Sequence, residues 1–135
     1  MGCDITCVTQ RRIDSRWIDA GPRYGLRGER EYEVFAMLAG VRGHGEPIAP
    51  PRGLPSGFEV DARGQRVQFA RDDHEHWMGE HSFSWLTLSE LFDRDETEGI
   101  PTSKFRGDFF TELVQWARDN GIESEDVRIV FGFNS

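Results

Sequence analysis

Cysteine and lysine are scarce in this 135-residue sequence, and long apolar runs are missing. The two cysteines, Cys3 and Cys7, are four residues apart, which on one extended strand separates their Cα atoms by about 13 Å, beyond disulfide reach. We therefore expect buried thiols in a reducing cytoplasm. The longest apolar run, residues 34–38, is too short to span a bilayer. We expect neither a secretory signal nor a membrane partner.

Positive charge is also in short supply, since the formal net charge is −8. A protein that grips bulk nucleic acid usually presents a basic surface, so we expect no such partner. The acidic residues are interleaved with arginines, which disfavours an acidic mimic of nucleic acid. Fifteen of the sixteen basic residues are arginine, with Lys104 the exception. This bias fits a GC-rich genome and also fits an anion-binding role, because arginine forks bind carboxylate and phosphate.

The rest of the composition is that of a folded protein, with 37% apolar residues, ten Phe and four Trp. It contains no repeat and no low-complexity tract. We expect a single domain covering residues 1–135.

Several stretches have the pattern of β-strands. Residues 3–13 and 16–19 predict an N-terminal hairpin, and residues 58–69 alternate around a turn as a second, middle hairpin. Residues 127–133 alternate apolar and other side chains, which predicts a strand that completes a sheet with the N-terminal one.

Helical patterns lie between these strands. Residues 31–40 show apolar spacings of three and four, and residues 108–120 have an Asp N-cap and an Asn-Gly end. A short helix is predicted to begin at Ser84 or Thr87, because Glu90 follows Thr87 at the spacing of a capping box.

Together these elements predict an α+β fold. We expect a small, mainly antiparallel sheet, formed by the N-terminal hairpin, the middle hairpin and the C-terminal strand, with two or three helices on one face. Strand order and oligomeric state are not readable from the sequence, which leaves a homodimer open.

Residues 40–57 form the most punctuated segment, with four prolines and five glycines, and we expect a stiff loop. Arg42 and Arg52, with His44 between them, are candidates for binding a carboxylate or phosphate. Alternatively, Arg52 ties the loop to an acidic residue such as Asp4. The polar cluster at residues 81–85 also has two interpretations. It could bind an anion at the start of a helix, or it could simply cap that helix.

Two catalytic interpretations are weaker. His74 and His76 lie among acidic residues and have the donor types of a metal site, but their spacing matches no metal signature and also suits a charged surface loop. A hydrolase would use Ser82 or Ser84 with His81 or His44. Adjacent Ser and His residues rarely meet, and the sequence has no nucleophile-elbow pattern. We therefore predict no catalytic residue, no bound metal and no cofactor.

Five stretches resemble a family of small uncharacterised proteins of bacteriophages and prophages. They are Met-Gly-Cys-Asp-Ile at 1–5, Tyr-Glu-Val-Phe-Ala-Met-Leu-Ala-Gly-Val-Arg at 32–42, Pro-Pro-Arg-Gly-Leu-Pro at 50–55, residues 77–91 with His-Ser-x-Ser-Trp-Leu-Thr-Leu, and residues 127–134. The resemblance spans nearly the whole chain in order. The family usually has His where this chain has Thr6, and often a second His at Phe83, which weakens any His-based site here.

The resemblance implies an accessory protein in the cytoplasm of a bacterial host, and no activity is known to us for the family. We expect a binder of a small anionic ligand, and more specifically one that sequesters a nucleotide-type signal of host defence. The predicted ligand-binding residues are Asp4, Arg42, His44, Arg52, Glu80, His81, Ser82 and Ser84. The alternatives are a metal-dependent hydrolase using Asp4, Glu80 and His81, and an interaction module that inhibits a host protein.

Overall fold

The structure is a computed structural model that describes residues 4–23, 38–40, 47–62, 65–68, 81–91 and 108–134. For residues 4, 59–62, 65–68, 108, 111 and 134 it describes the backbone alone. Six strands and one long helix lie in these ranges: β1 Asp4–Ile13, β2 Arg16–Asp19, β3 Glu59–Ala62, β4 Gln65–Gln68, β5 His81–Thr87, α1 Asp108–Asp119 and β6 Val127–Asn134. Residues 88–91 continue directly from β5 as a helical turn, and a 3₁₀ turn, Ser124–Asp126, precedes β6.

A four-stranded antiparallel sheet in the order β2-β1-β6-β5 forms the centre of the described fold. β6 is therefore flanked by the first strand and by β5. Its pairing with β1 runs from Asp4 opposite Asn134 to Arg11 opposite Val127. β3 and β4 pair with each other as a separate two-stranded sheet.

The hairpin that joins β1 to β2 has a two-residue turn. Asp14 has φ 51° and Ser15 has φ 67°, which are the left-handed values that a type I′ turn requires at both central positions. Glycine and asparagine are the usual residues there, so a serine in this conformation carries backbone strain.

One face of the sheet packs against the helices. Ile5 and Cys7 of β1, Leu86 of β5 and the odd-numbered residues 127–133 of β6 share a core with α1 and the helical residues 38–39 and 88–91. From α1 this core takes Phe109, Phe110, Leu113 and Ala117, which recur at helical spacing.

The opposite face is covered by the proline-rich loop. Val8 and Val130 are buried against Phe58, and Leu54, Phe83 and Trp85 pack around them. Residues 47–57 contain no helix or strand, as the sequence predicts. The loop therefore covers this face of the sheet.

The α+β prediction is confirmed, including the N-terminal hairpin, α1 and the pairing of β1 with β6. Only residues 38–40 of the predicted first helix are described; 38–39 are helical and Gly40 follows with φ 72°.

The predicted helix start at Ser84 is wrong, because residues 81–87 form a strand and the helical turn follows Thr87. The middle hairpin forms as predicted but pairs only with itself, and β5 is the fourth strand of the main sheet. In the described ranges, no helix has the length and apolar character to cross a membrane.

Candidate functional site

The predicted polar residues of β5 lie at a β-bulge. His81 opposes Phe133 and Ser84 opposes Phe131. Two residues of β5 therefore lie opposite a single residue of β6, which is the definition of a bulge. Ser82, inside the bulge, has φ 57°. Its Oγ lies 3.0 Å from Nδ1 of His81, so this pair is in contact although adjacent Ser and His residues rarely meet. The bulge turns the hydroxyl towards the imidazole of the preceding residue.

The proline-rich loop contacts this bulge directly. The backbone N–H of Arg52 donates to Oγ of the buried Ser84 at 2.9 Å, and the N–H of Gly53 donates to the carbonyl of Phe83 at 2.8 Å. Two of the predicted ligand-binding residues, Arg52 and Ser84, are therefore in contact.

The guanidinium of Arg52 forms a bidentate ion pair with Glu90. Its Nη1 donates to Oε1 of Glu90 at 2.9 Å and to the carbonyl of Trp85 at 3.0 Å, and its Nη2 donates to Oε2 of Glu90. These hydrogen bonds hold the pKa of Glu90 below its usual range. Glu90 also closes the predicted capping box, since its N–H donates to Oγ1 of Thr87 and its Oε1 accepts from the N–H of Thr87. Arg52 ties the loop to an acid, as the simpler interpretation proposes, but the acid is Glu90.

The other predicted residues are only partly described. Asp4 opposes Asn134 at the end of the sheet where His81 opposes Phe133, so their backbones are two strands, or about 10 Å, apart. The side chain of Asp4 and all of Arg42, His44, Glu80, His74 and His76 lie outside the described residues.

The sheet face beneath the loop carries a feature that the sequence does not predict. Three arginines and two tryptophans alternate across it, and we call them the arginine–tryptophan row: Arg12, Trp17, Arg128, Trp85 and Arg52. Successive guanidinium-to-ring distances along the row are 5.4, 4.2, 6.0 and 4.5 Å. All are within the range of cation–π attraction.

The two ends of the row are ion-paired. Arg12 pairs with Asp126, and its Nε donates to Oδ1 of that residue at 2.9 Å. Arg52 pairs with Glu90 at the other end. Each terminal cation thus has its own carboxylate.

Arg128, in the middle of the row, differs from both. It is 6% exposed, and its Nε and Nη2 donate to Oε1 of the fully buried Gln10 at 3.0 and 2.7 Å. Gln10 in turn donates to Oδ1 of Asp19. Among the side chains that the structure describes, no carboxylate lies within ion-pair distance of Arg128. Burial lowers the pKa of this guanidinium to about 10.

A cleft of about 190 Å³ opens at Arg128. Its lining comes from the strained hairpin turn, the start of β2, the tip of the loop and β6: Ser15, Arg16, Trp17, Ser56, Gly57 and Arg128. These six described lining residues supply two guanidinium groups, two hydroxyl groups and no carboxylate. In a protein of net charge −8, it is a local concentration of groups that favour an anion.

Sequence reasoning missed Arg128 because an arginine in an alternating strand is normally solvent-facing. One signal was available in the sequence. Gln10 and Arg128 occupy polar positions in the alternating patterns of two strands that the sequence predicts to pair with each other. A polar position on a central strand must be buried if that face is covered.

The described residues hold no group of three or more His, Cys, Asp or Glu side chains suited to a metal ion. Cys7 is a buried free thiol, and burial raises its pKa above the usual range, as expected for an unreactive core residue. Comparisons with protein-family models, curated proteins and solved structures found no match to this chain.

Proposed function

We propose that this chain is a phage-encoded accessory protein that binds a small anionic ligand and does not transform it, with the cleft at Arg128 as the binding site. The observation that carries the proposal is Arg128 itself. A guanidinium that is 6% exposed, between two tryptophans and without a described carboxylate, bears the desolvation cost of a buried charge. An anion in the cleft offsets that cost.

The size of the cleft limits what enters it. Its volume of about 190 Å³ is below the roughly 300–1,000 Å³ of pockets that enclose whole drug-sized ligands. One phosphate or carboxylate group fits. A nucleotide-type signal, which the family resemblance suggests, would place one phosphate in the cleft and the base outside it.

Binding without catalysis is favoured by the lining. None of the six lining residues is a carboxylate, imidazole or thiol, so Ser15 and Ser56 have no general base within that set. The hydroxyls are suited to donating hydrogen bonds to an oxyanion.

Isothermal titration calorimetry at low ionic strength tests the proposal, with inorganic phosphate, acetate and a panel of nucleoside phosphates as probes. Arg128→Gln should weaken phosphate binding by about 10- to 100-fold, the effect of losing one hydrogen bond to a charged group. Arg12→Gln is the matched control, since Arg12 belongs to the row but already pairs with Asp126. We expect the control to bind nearly as the parent does.

Arg16→Gln provides a second variant if Arg128→Gln disturbs the fold, because Arg16 lines the cleft from an exposed position. It too should weaken binding. Absence of binding to every probe, or binding by both the Arg128 and the Arg16 variant that equals binding by the parent, would overturn the proposal.

A further inference from the structure

Ser82 combines backbone strain with a half-buried position. Its φ of 57° lies in the left-handed region, which is strained for a residue with a side chain. The residue is therefore not part of the fully buried core. Nucleophilic serines of hydrolases sit on strained turns for a related reason: the strained backbone projects Oγ out of the regular structure.

A base is already within reach of this hydroxyl. Nδ1 of His81 is 3.0 Å from Oγ of Ser82, which is the separation that proton transfer from a nucleophile requires. The imidazole is held by stacking on Phe133, with ring centroids 6.2 Å apart and planes 26° apart. Phe133 is fully buried, so it gives the ring a fixed support.

The bulge that positions the pair is anchored from outside the sheet. Phe83 and Ser84, which follow Ser82, accept hydrogen bonds from the backbone N–H groups of Gly53 and Arg52. Arg52 is in turn fixed by Glu90. Preorganisation of this kind is what a reactive hydroxyl needs, because a loose serine seldom meets its base.

We propose that Ser82 is a nucleophile towards activated acyl or phosphoryl compounds, with His81 as its general base. This is an activity separate from anion binding. His81 opposes Phe133 and Thr87 opposes Arg128, so the two sites are five residues, or about 17 Å, apart along β6. The stacking partner Phe133 also belongs to the helix-side core, whereas Val130 and the arginine–tryptophan row belong to the loop-side face.

With an ester, Oγ of Ser82 attacks the carbonyl carbon as its proton moves to Nδ1 of His81. The bond from that carbon to the leaving oxygen breaks, and the leaving alkoxide takes the proton from His81. Water then attacks the acyl-serine and loses a proton to the imidazole. Oγ departs with that proton, which releases the acid and restores the serine.

Treatment of the full chain with an alkyl fluorophosphonate tests this proposal. An Oγ–P bond forms, the P–F bond breaks and fluoride leaves, so the adduct is counted by intact mass and located by peptide mapping. Three variants are informative. Ser82→Gly removes the hydroxyl and suits the left-handed backbone. His81→Gln removes the base. Ser89→Ala, in the helical turn after β5, removes a nearby serine as the matched control.

We expect one adduct, on Ser82, that is absent from Ser82→Gly, retained in Ser89→Ala and formed at least about tenfold more slowly in His81→Gln. Circular dichroism of the same samples shows whether Ser82→Gly is folded. Lack of any adduct, an adduct that survives in Ser82→Gly, or a rate that is unchanged in His81→Gln would each overturn the assignment.

Discussion

Arg52 and Arg128 have the same side chain and opposite circumstances. Arg52 lies in a motif that draws attention to it, yet its guanidinium is ion-paired with Glu90 and holds the loop through a hydrogen bond to the carbonyl of Trp85. Arg128 lies in a predicted strand in which nothing marks it as a binding residue, yet it is the more deeply buried cation. Local sequence shows which residue could bind an anion, but only the three-dimensional arrangement shows which charge is already neutralised.

The Arg52–Glu90 pair should make stability depend on pH. The pKa of Glu90 is lower in the folded state, so its contribution is full above the unfolded value, about 4.3, and is lost as the pH falls through the folded value. Glu90→Gln should therefore lower the free energy of unfolding by up to about 1 kcal/mol at pH 7 and by much less at pH 3.

Urea denaturation of both proteins at the two pH values measures this difference. Glutamine can still close the capping box, so the substitution isolates the charge. Glu112→Gln, on the exposed side of α1, controls for the loss of one negative charge. A deficit of the same size at pH 3 and pH 7 would count against the pair as its cause.

β5 explains where prediction from sequence succeeded and where it failed. Glu90 and Thr87 form the predicted capping box, but residues 81–87 belong to a strand rather than to the start of the helix. Its polar residues gave no strand signal, because what makes Ser84 acceptable inside the fold is a hydrogen bond from Arg52, 32 positions earlier. Partners that far along the chain are invisible to local periodicity.

The segment after β2 packs so closely against α1 that there is little room for a side chain at Gly21. Gly21 follows β2 with φ 82°, and a Cβ at that position would lie 3.0 Å from the ring of Trp116. Gly57→Ala is the matched substitution, since Gly57 has φ 68° but no atom within 4 Å of the added carbon. Both changes strain the backbone, and only Gly21→Ala also displaces Trp116.

We expect Gly21→Ala to lower the free energy of unfolding by about 1 kcal/mol more than Gly57→Ala does, a typical overpacking effect. Chemical denaturation monitored by circular dichroism measures both variants. Equal losses would mean that Trp116 moves aside freely, and that the packing of α1 against this turn is loose.

For the molecule as a whole, the sequence predicts the fold class better than the site. The hairpin, α1 and the last strand have strong local patterns. The arginine–tryptophan row has none, because its members come from β1, β2, β5, β6 and the loop and are adjacent only once the sheet has formed. A site assembled across strands is a property of the topology.

A circular permutant tests how far that topology controls folding. Asp4 lies opposite Asn134, so a short linker can join the two ends as a hairpin while new ends open at the exposed turn after Gly121. The permutant places β6 directly before β1 and makes their pairing local. We expect it to fold at least about tenfold faster with a similar structure, because local contacts close smaller loops.

Stopped-flow refolding monitored by tryptophan fluorescence measures the rate. Circular dichroism and the tryptophan emission spectrum verify that the permutant has the parent's structure. If the permutant refolds no faster than the parent, another step limits the rate.

The central position of β6 also has a consequence during synthesis on the ribosome. More than a hundred residues separate the end of β1 from Val127, so at roughly 5–20 residues per second the nascent chain waits several seconds or longer for its middle strand. Throughout that time β1 has only β2 as a sheet neighbour, and β5, once it has been made, lacks β6, its partner in the sheet. A product that terminates before Val127 cannot form the four-stranded sheet, so it offers exposed strands to chaperones and proteases instead of accumulating as a folded protein.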